Sequence, residues 1–541
     1  MRALAERAVA GFAEPASPVV PTAAAAAPAA RPSCAAHAVM VIAALMCAAA
    51  SIGRADAAHA ELPKTGRTVL FADLDGDGRA DPVVVYGDGG RCRLARVLRD
   101  GETLRTESIT VDGDPAIRVP LLGDVTGDGL ADLVAFEEAG WTLRRGLKSG
   151  SFDGPPELVA AGEDVLLPED DCAAEAFSLM DVTDDRASEW LLPILGGVRV
   201  VRMSAGPATA QSRVATIDLT VEPRAIASGS SLSFASALPG FFDSAGARVL
   251  ALGPVIGVVG SGGGSRLDMA WWTRSAADGS LERHRSIFQL PAGRTPLMKH
   301  VFDLDGDGSP ELVVLAAPSR LESFLGEYEL HVFRASDRTD RVEPPFFSAK
   351  TNLNFWQVPS IAFRSRPGGG DILLAFYRGL ASARLNVEIF RTDGKRSFAP
   401  STRDFQVGKE EEADREYLRW IDADGDGLLD LAASNGEELI VYRGLSDEER
   451  PVAREPAWRA AIHPGPGGID LSMSSSGGWS IAAGEPDRLW FRDLDGDGLV
   501  EVVKLGEVSI DATKGGPASV EPEKKTFSHR VVIESLHPPA K

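Results

Sequence analysis

Apolar residues in this chain fall into short, strand-like runs with a polar turn in front of each one. Val83–Tyr86, Leu133–Phe136, Leu312–Leu315 and Val500–Val503 are four such runs, each too short for a helix. The turn before each run is rich in carboxylates. Two residues ahead of the turn's first aspartate stands another apolar side chain: Phe71, Leu122, Leu179, Val301, Trp420 and Phe491 in the six copies. This spacing predicts strand, turn, strand. Segments such as Glu327–Phe333 and Leu385–Phe390 alternate apolar with polar positions and predict the further strands of a small sheet. Long helical periodicity is absent from the region that carries the turns.

The turns share one design. Asp-Leu-Asp-Gly-Asp-Gly occurs at Asp73–Gly78, Asp303–Gly308 and Asp493–Gly498, and Asp422-Ala423-Asp424-Gly425-Asp426-Gly427 differs at a single spacer. In the first copy, carboxylates at positions 1, 3, 5 and 9 (Asp73, Asp75, Asp77, Asp81) and the backbone carbonyl of Arg79 at position 7 can converge on one hard cation. The other ligand sets are Asp124, Thr126, Asp128, Leu130 and Asp132; Asp303, Asp305, Asp307, Ser309 and Glu311; Asp422, Asp424, Asp426, Leu428 and Asp430; and Asp493, Asp495, Asp497, Leu499 and Glu501. A sixth loop offers Asp181, Thr183, Asp185 and Glu189, but Arg186 stands where the turn needs glycine, which leaves its occupancy open. Calcium takes six to eight oxygens, whereas magnesium demands a tighter octahedron and keeps its waters, so calcium is the expected ion at about five sites. An acidic hairpin turn alone would explain one such loop, not five of equal spacing. An EF-hand is excluded, because position 12 holds Val84, Ala135, Val314 or Lys504 rather than glutamate.

The spacing of the loops gives the architecture. Starts at 73, 124 and 181 are 51 and 57 residues apart; 181 to 303 and 303 to 422 are 122 and 119, about twice the unit; 422 to 493 is 71. Units without ligands are therefore expected near 242 and 362, where Phe241–Gly246 precedes Val249–Leu252 and Gly368–Asp371 precedes Ile372–Phe376. Short strands at such a period predict an all-β fold, a β-propeller of about eight four-stranded blades, or seven if one ligand-free unit is an insertion. The expected division is a leader over residues 1–60 and one propeller over 61–541, with units starting near 65, 116, 173, 234, 295, 354, 414 and 485.

A carboxylate loop of this form followed by an apolar run resembles the FG-GAP/VCBS repeats of extracellular propellers related to integrin alpha subunits, over roughly residues 65–540. The resemblance implies calcium held by Asp73, Asp75, Asp77, Asp81 and their equivalents at the turn between a blade's first two strands. It implies an adhesion or binding role for protein or polysaccharide. Some eight-bladed polysaccharide lyases have similar calcium loops, so a calcium-dependent carbohydrate-active enzyme is the alternative. The FG and GAP tripeptides themselves are missing from most units.

Charge narrows the partners. The formal net charge is −22; residues 1–60 hold four basic and three acidic side chains, so the rest carries −23. Nucleic acid and anionic membranes are not expected partners for that surface. Ala38–Ala50 reads as the apolar core of an export signal, too short to span a bilayer, with Ala55-Asp56-Ala57 and Ala58-His59-Ala60 as cleavage candidates. The mature chain is thus expected to be secreted, periplasmic or on the cell surface, monomeric and without a transmembrane segment. Only Cys92 and Cys172 then remain, and their place in non-adjacent units points to two buried thiols rather than a disulfide.

No catalytic constellation emerges. There is no Gly-x-Ser-x-Gly elbow, CxxC pair or phosphate-cradling glycine loop. His300 and His331 read as hydrogen-bonded strand histidines. Trp271, Trp272, Trp356, Trp420 and Trp490 read as packing between blades, although alternation leaves one of Trp271 and Trp272 a candidate for exposure. His463–Glu485 is the expected functional surface loop.

Overall fold

The computed structural model describes residues 58–62, 66–88, 90–100, 103–159, 165, 167, 172, 178–181, 187–194, 197–204, 213–220, 240–244, 247–258, 265–274, 281–304, 309–318, 327–336, 342–353, 359–366, 369–378, 384–392, 398–399, 404–407, 417–434, 438–447, 449–460, 462, 469–473, 479–483, 489–510 and 526–536, with side chains omitted at some strand positions. Met1–Asp56 and Ala57–Lys541 are separate compact units, and all described residues belong to the second. The fold is all-β, with no helix among the described residues and therefore none long and apolar enough to cross a membrane.

Antiparallel sheets follow one another along the chain. The first contains Gly66–Ala72, Asp81–Asp88, Arg91–Asp100 and Thr103–Ser108; the second Arg118–Gly123, Asp132–Glu137, Gly140–Arg144 and Glu157–Leu158. Ser178–Met180, Glu189–Ile194, Gly197–Ser204 and Arg213–Thr220 form the third. Gly240–Ser244, Ala247–Val258, Ser265–Arg274 and Leu281–Gln289 form the fourth, with Val342–Glu343 added in parallel at its edge. The fifth comprises Arg294–Phe302, Glu311–Pro318, Glu329–Arg334 and Phe347–Lys350, and the sixth Ser360–Arg366, Gly369–Arg378 and Arg384–Thr392, with Phe398–Ala399 and Asp404–Val407 both on its third strand. Leu418–Ile421, Asp430–Ser434, Leu439–Tyr442 and Trp458–Ala460 make the seventh. In the eighth, Leu489–Arg492, Glu501–Ile510 and Thr526–Ser535 are joined by Ala58–Glu61, so the first described strand completes the last sheet.

Consecutive sheets share apolar cores. Val83, Val85 and Leu94 of the first sheet pack with Leu133 and Ala135 of the second, and Val134 and Leu143 of the second with Trp190 and Leu192 of the third. Equivalent clusters join fourth to fifth, fifth to sixth, sixth to seventh and seventh to eighth. Val503, Leu505 and Val531 of the eighth pack against Val69, Val84 and Val97 of the first. Most side chains at the junction of third and fourth sheets lie outside the described residues.

Three observations depart from expectation. Cys92 and Cys172 form a disulfide, with Cα atoms 5.6 Å apart. Cys172 belongs to the connection after the second sheet, which returns to the core between first and second sheets, so distance along the repeat does not separate the two thiols. Trp271 and Trp272 are both 3% exposed, because a sheet covered on both faces buries both sides of its alternation. The segment His463–Glu485 contains a two-stranded ladder, Ile469–Met473 with Trp479–Ala483, and its other residues lie outside those described. Trp356 is also outside them.

Candidate metal loops

Each loop joins the first and second strands of its sheet, and its own carboxylates fold it. Asp73 accepts the amides of Gly76 at 2.7 Å and Gly78 at 2.8 Å; Asp77 accepts that of Arg79 at 2.8 Å; Asp81 reaches back to the amide of Leu74 at 3.0 Å. Asp124 binds the amides of Gly127, Asp128 and Gly129, and Asp493 those of Gly496 and Gly498. The chain can wrap its position-1 carboxylate this tightly only with positive φ at positions 4 and 6, where Gly76 has 77° and Gly78 85°. Closure by the ninth residue is equally regular: Asp132 takes the amides of Val125 and Thr126, Glu311 that of Leu304, Asp430 that of Ala423 and Glu501 that of Leu494.

Carboxylate oxygens of Asp73, Asp75 and Asp81 lie within 4.8 Å of one another, as do those of Asp422, Asp424 and Asp430, and of Asp493, Asp495 and Asp497. In the Asp124 loop, Thr126 holds position 3 and its hydroxyl lies against Asp132; in the Asp422 loop, Oδ1 of Asp424 at position 3 is buried and has no hydrogen-bond partner. A buried oxygen without a donor is costly, and this one stands where a cation ligand is expected. Burial pushes the carboxyls of Asp132 and Asp430 up to about 6, each with nearby aspartates adding to the rise, and raises Asp81 and Glu501 in the same direction. A divalent ion would relieve that cost by favouring the ionised form.

Asp303 and Glu311 are buried at the equivalent turn of the fifth sheet, with Ser309 at position 7; Asp305 and Asp307 lie outside the described residues. At the sixth loop Asp181 and Glu189 are described, whereas Thr183 and Asp185 are not. Leu130, Leu428 and Leu499 occupy position 7, and the amide of each bonds to the position-5 aspartate of its own loop.

The structure adds two features that residue spacing did not expose. Position 2 is not a neutral spacer: Leu74, Val125, Leu304 and Ala423 are buried in the core and anchor their loops there. Arginines also enter the acidic turns. Arg96 donates to both Asp75 and Asp81, holding Asp75 below the usual carboxylate range, and Arg443 lies 2.8 Å from Asp424 and 3.2 Å from Asp426. In the sixth sheet, which has no acidic loop, buried Asp371 meets Arg364 at 2.8 Å and Arg391 at 3.3 Å. Two guanidiniums there meet a single carboxylate.

The two histidines share the fifth sheet. His331 bonds through Nδ1 to Oγ of Ser348 at 2.8 Å, and burial lowers its pKa; burial takes His300 down to about 4.

Residues 73–135, spanning the first two loops, match the FG-GAP-like repeat family. No curated protein matches the chain. Among solved structures, one describing specific recognition of non-reducing terminal N-acetylglucosamine by an Agrocybe aegerita lectin is 14% identical, covering 87% of this chain and 94% of that one at a TM-score of 0.33. The Photorhabdus luminescens Tc holotoxin pore is 13% identical, covering 84% of this chain and 17% of that one at 0.29. A point mutant of NanB sialidase from Streptococcus pneumoniae is 12% identical, covering 85% and 68% at 0.25. Likenesses this weak carry no argument about fold or function.

Proposed function

We propose that this FG-GAP-like repeat protein is an exported ring of eight blades, pinned by calcium, that binds a protein or polysaccharide without transforming it. One observation carries the metal reading: in the Asp422 loop the carboxylate oxygens of Asp422, Asp424 and Asp430 converge to within 4.8 Å while Oδ1 of Asp424, at position 3, is buried and no protein donor satisfies it. Asp73, Asp75, Asp77 and Asp81, with their equivalents in the other loops, would hold the ion, and calcium would add positive charge where the carboxylates outnumber the arginines beside them. With a dissociation constant of about 0.1 mM and calcium at about 1 mM, each site would add roughly 1.4 kcal/mol of stability.

Ring closure is supported by Ala58–Glu61 pairing with Arg530–Ile533 and by the shared core of first and eighth sheets. That pairing favours leader cleavage after Ala57, since removal of Ala58-His59-Ala60 would take away the closing strand. The Cys92–Cys172 disulfide agrees with an oxidising compartment.

Elemental analysis of the purified mature chain, passed through calcium-containing buffer, tests the metal; absence of bound calcium would overturn that reading. A glycan array in calcium, paired with an assay for unsaturated sugar products, tests the role. Binding without turnover is expected, and product formation would establish the lyase alternative in its place.

A further inference from the structure

The acidic loops are not isolated turns; they are tied to one another through the backbone. The amide of Ala131, position 8 of the second loop, donates to the carbonyl of Asp73, position 1 of the first, at 2.9 Å. Ser188, position 8 of the third, donates to the carbonyl of Asp124 at 2.7 Å. Val500, position 8 of the Asp493 loop, donates to the carbonyl of Ala423, position 2 of the Asp422 loop, at 2.9 Å. Close approaches at the position-4 glycines follow the same route. A Cβ on Gly76 would come 3.0 Å from Leu130, one on Gly425 3.4 Å from the carbonyl of Gly498, and one on Gly496 3.0 Å from Nε of Arg79. The backbone bonds therefore link loop 73 to loop 124 and loop 124 to loop 181, and, separately, loop 422 to loop 493.

Position 8 lies between two ligand positions, the carbonyl of position 7 and the carboxylate of position 9. The fifth sheet has no such donor. Its position 8 is Pro310, which has no amide proton, and the fourth sheet before it has no acidic loop between Gly240–Ser244 and Ala247–Val258. Pro310 still accepts the amide of Ala335 within its own sheet at 3.0 Å. Pro310 thus keeps its carbonyl bonded within the sheet and offers no donor to the preceding one.

We infer that the linked loops bind their ions cooperatively, with the position-8 amide as the coupling element, while the Asp303 loop fills independently. This rests on the calcium reading above. An ion that orders the first two positions of one loop fixes the carbonyl on which the next loop hangs its positions 7 and 9, lowering the ordering cost of the neighbouring site. Coupling of this kind commonly changes affinity by on the order of tenfold.

Calcium titration of the full mature chain by calorimetry and equilibrium dialysis tests it. The expected isotherm is sigmoidal, with a Hill coefficient above one. Ala131→Pro and Val500→Pro copy the residue the fifth loop already uses; each should keep the number of bound ions and lower the Hill coefficient. Should either proline variant misfold, Asp77→Asn gives the same information: the Asp124 loop, tied to it by the Ala131 amide, should bind several-fold more weakly, beyond the loss of the first loop's own ion. A full complement of calcium bound with a Hill coefficient of one, or an Asp124 loop unaffected by Asp77→Asn, overturns the coupling and leaves the metal reading intact. No calcium bound at all overturns the metal reading first.

Discussion

The buried closing carboxylates make a pH prediction whose sign follows from the structure. Asp132 is fully buried and accepts the amides of Val125, Thr126 and Gly146, yet its pKa rises from 3.8 to about 6 because desolvation outweighs those bonds. Ionised Asp132 in the metal-free fold therefore costs about 3 kcal/mol relative to the unfolded chain. A folded pKa above the unfolded one gives stability that is complete below pH 3.8 and lost as pH rises through about 6. Asp430, also raised to about 6 by burial, acts in the same direction. His300 acts in the opposite one: its pKa falls from 6.5 to about 4, so its contribution is present above pH 6.5 and lost as pH drops through 4. The histidine is common to metal-free and loaded protein, so the difference between the two forms isolates the carboxylates. Denaturant unfolding of metal-free and calcium-loaded protein, compared from pH 4 to pH 7, should show a gap that widens by about 3 kcal/mol for the Asp132 site alone. Asp132→Asn should remove most of that widening. A gap that stays constant across this window would refute the reasoning.

Other perturbations test the cations that the protein builds from its own side chains. Arg364→Met leaves buried Asp371 with one guanidinium fewer and frees the carbonyls of Leu445 and Asp447 that Arg364 also holds; a loss of about 3–5 kcal/mol is expected, equal with and without calcium, and rescue by calcium would contradict it. Arg96→Met should tighten calcium at the first loop by about tenfold while lowering metal-free stability by about 2 kcal/mol, since the guanidinium occupies the acidic turn in the ion's absence. Weaker calcium binding in that variant would mean that Arg96 shapes the loop and does not compete with the ion. Cys92→Ser opens a covalent loop with a sequence separation of 80 and should cost up to about 4.5 kcal/mol, measured as a lowered unfolding midpoint under non-reducing conditions. No change would show that the bridge is absent in solution.

The elements a reader of the sequence can find are those whose determinants lie within one short segment. The carboxylate turn, the apolar residue two positions before it and the strand after it are encoded in about a dozen consecutive residues, and they reappear as the hairpins Gly66–Ala72 with Asp81–Asp88 and Leu489–Arg492 with Glu501–Ile510. What escaped depends on partners at variable distance. Glu311 faces Arg334 and Asp371 faces Arg391, so the basic residue on the third strand lies 23 positions on in one sheet and 20 in the other, according to the intervening hairpin. A fixed-spacing motif cannot detect a contact that floats in this way. The Cys92–Cys172 bridge escaped for a related reason: it is made by a connection between sheets, which the repeat pattern does not describe.

The role of position 8 was hidden differently. Ala131, Ser188 and Val500 share no side-chain chemistry, because what each contributes to the preceding sheet is a backbone amide. Selection at that position can act only through whether the amide exists, and proline is the one residue that removes it. Pro310 and Leu429 both stand where the preceding sheet presents no acidic loop, and of the two only Pro310 lacks the amide, while Ala131, Ser188 and Val500 donate where an acidic loop is present. The same logic makes Pro310→Ala a stringent control. It restores a donor with no acceptor loop before it, and should leave both the calcium isotherm and the melting temperature of the loaded protein unchanged. A rise in cooperativity in that variant would mean that coupling passes through some route other than the amide of position 8.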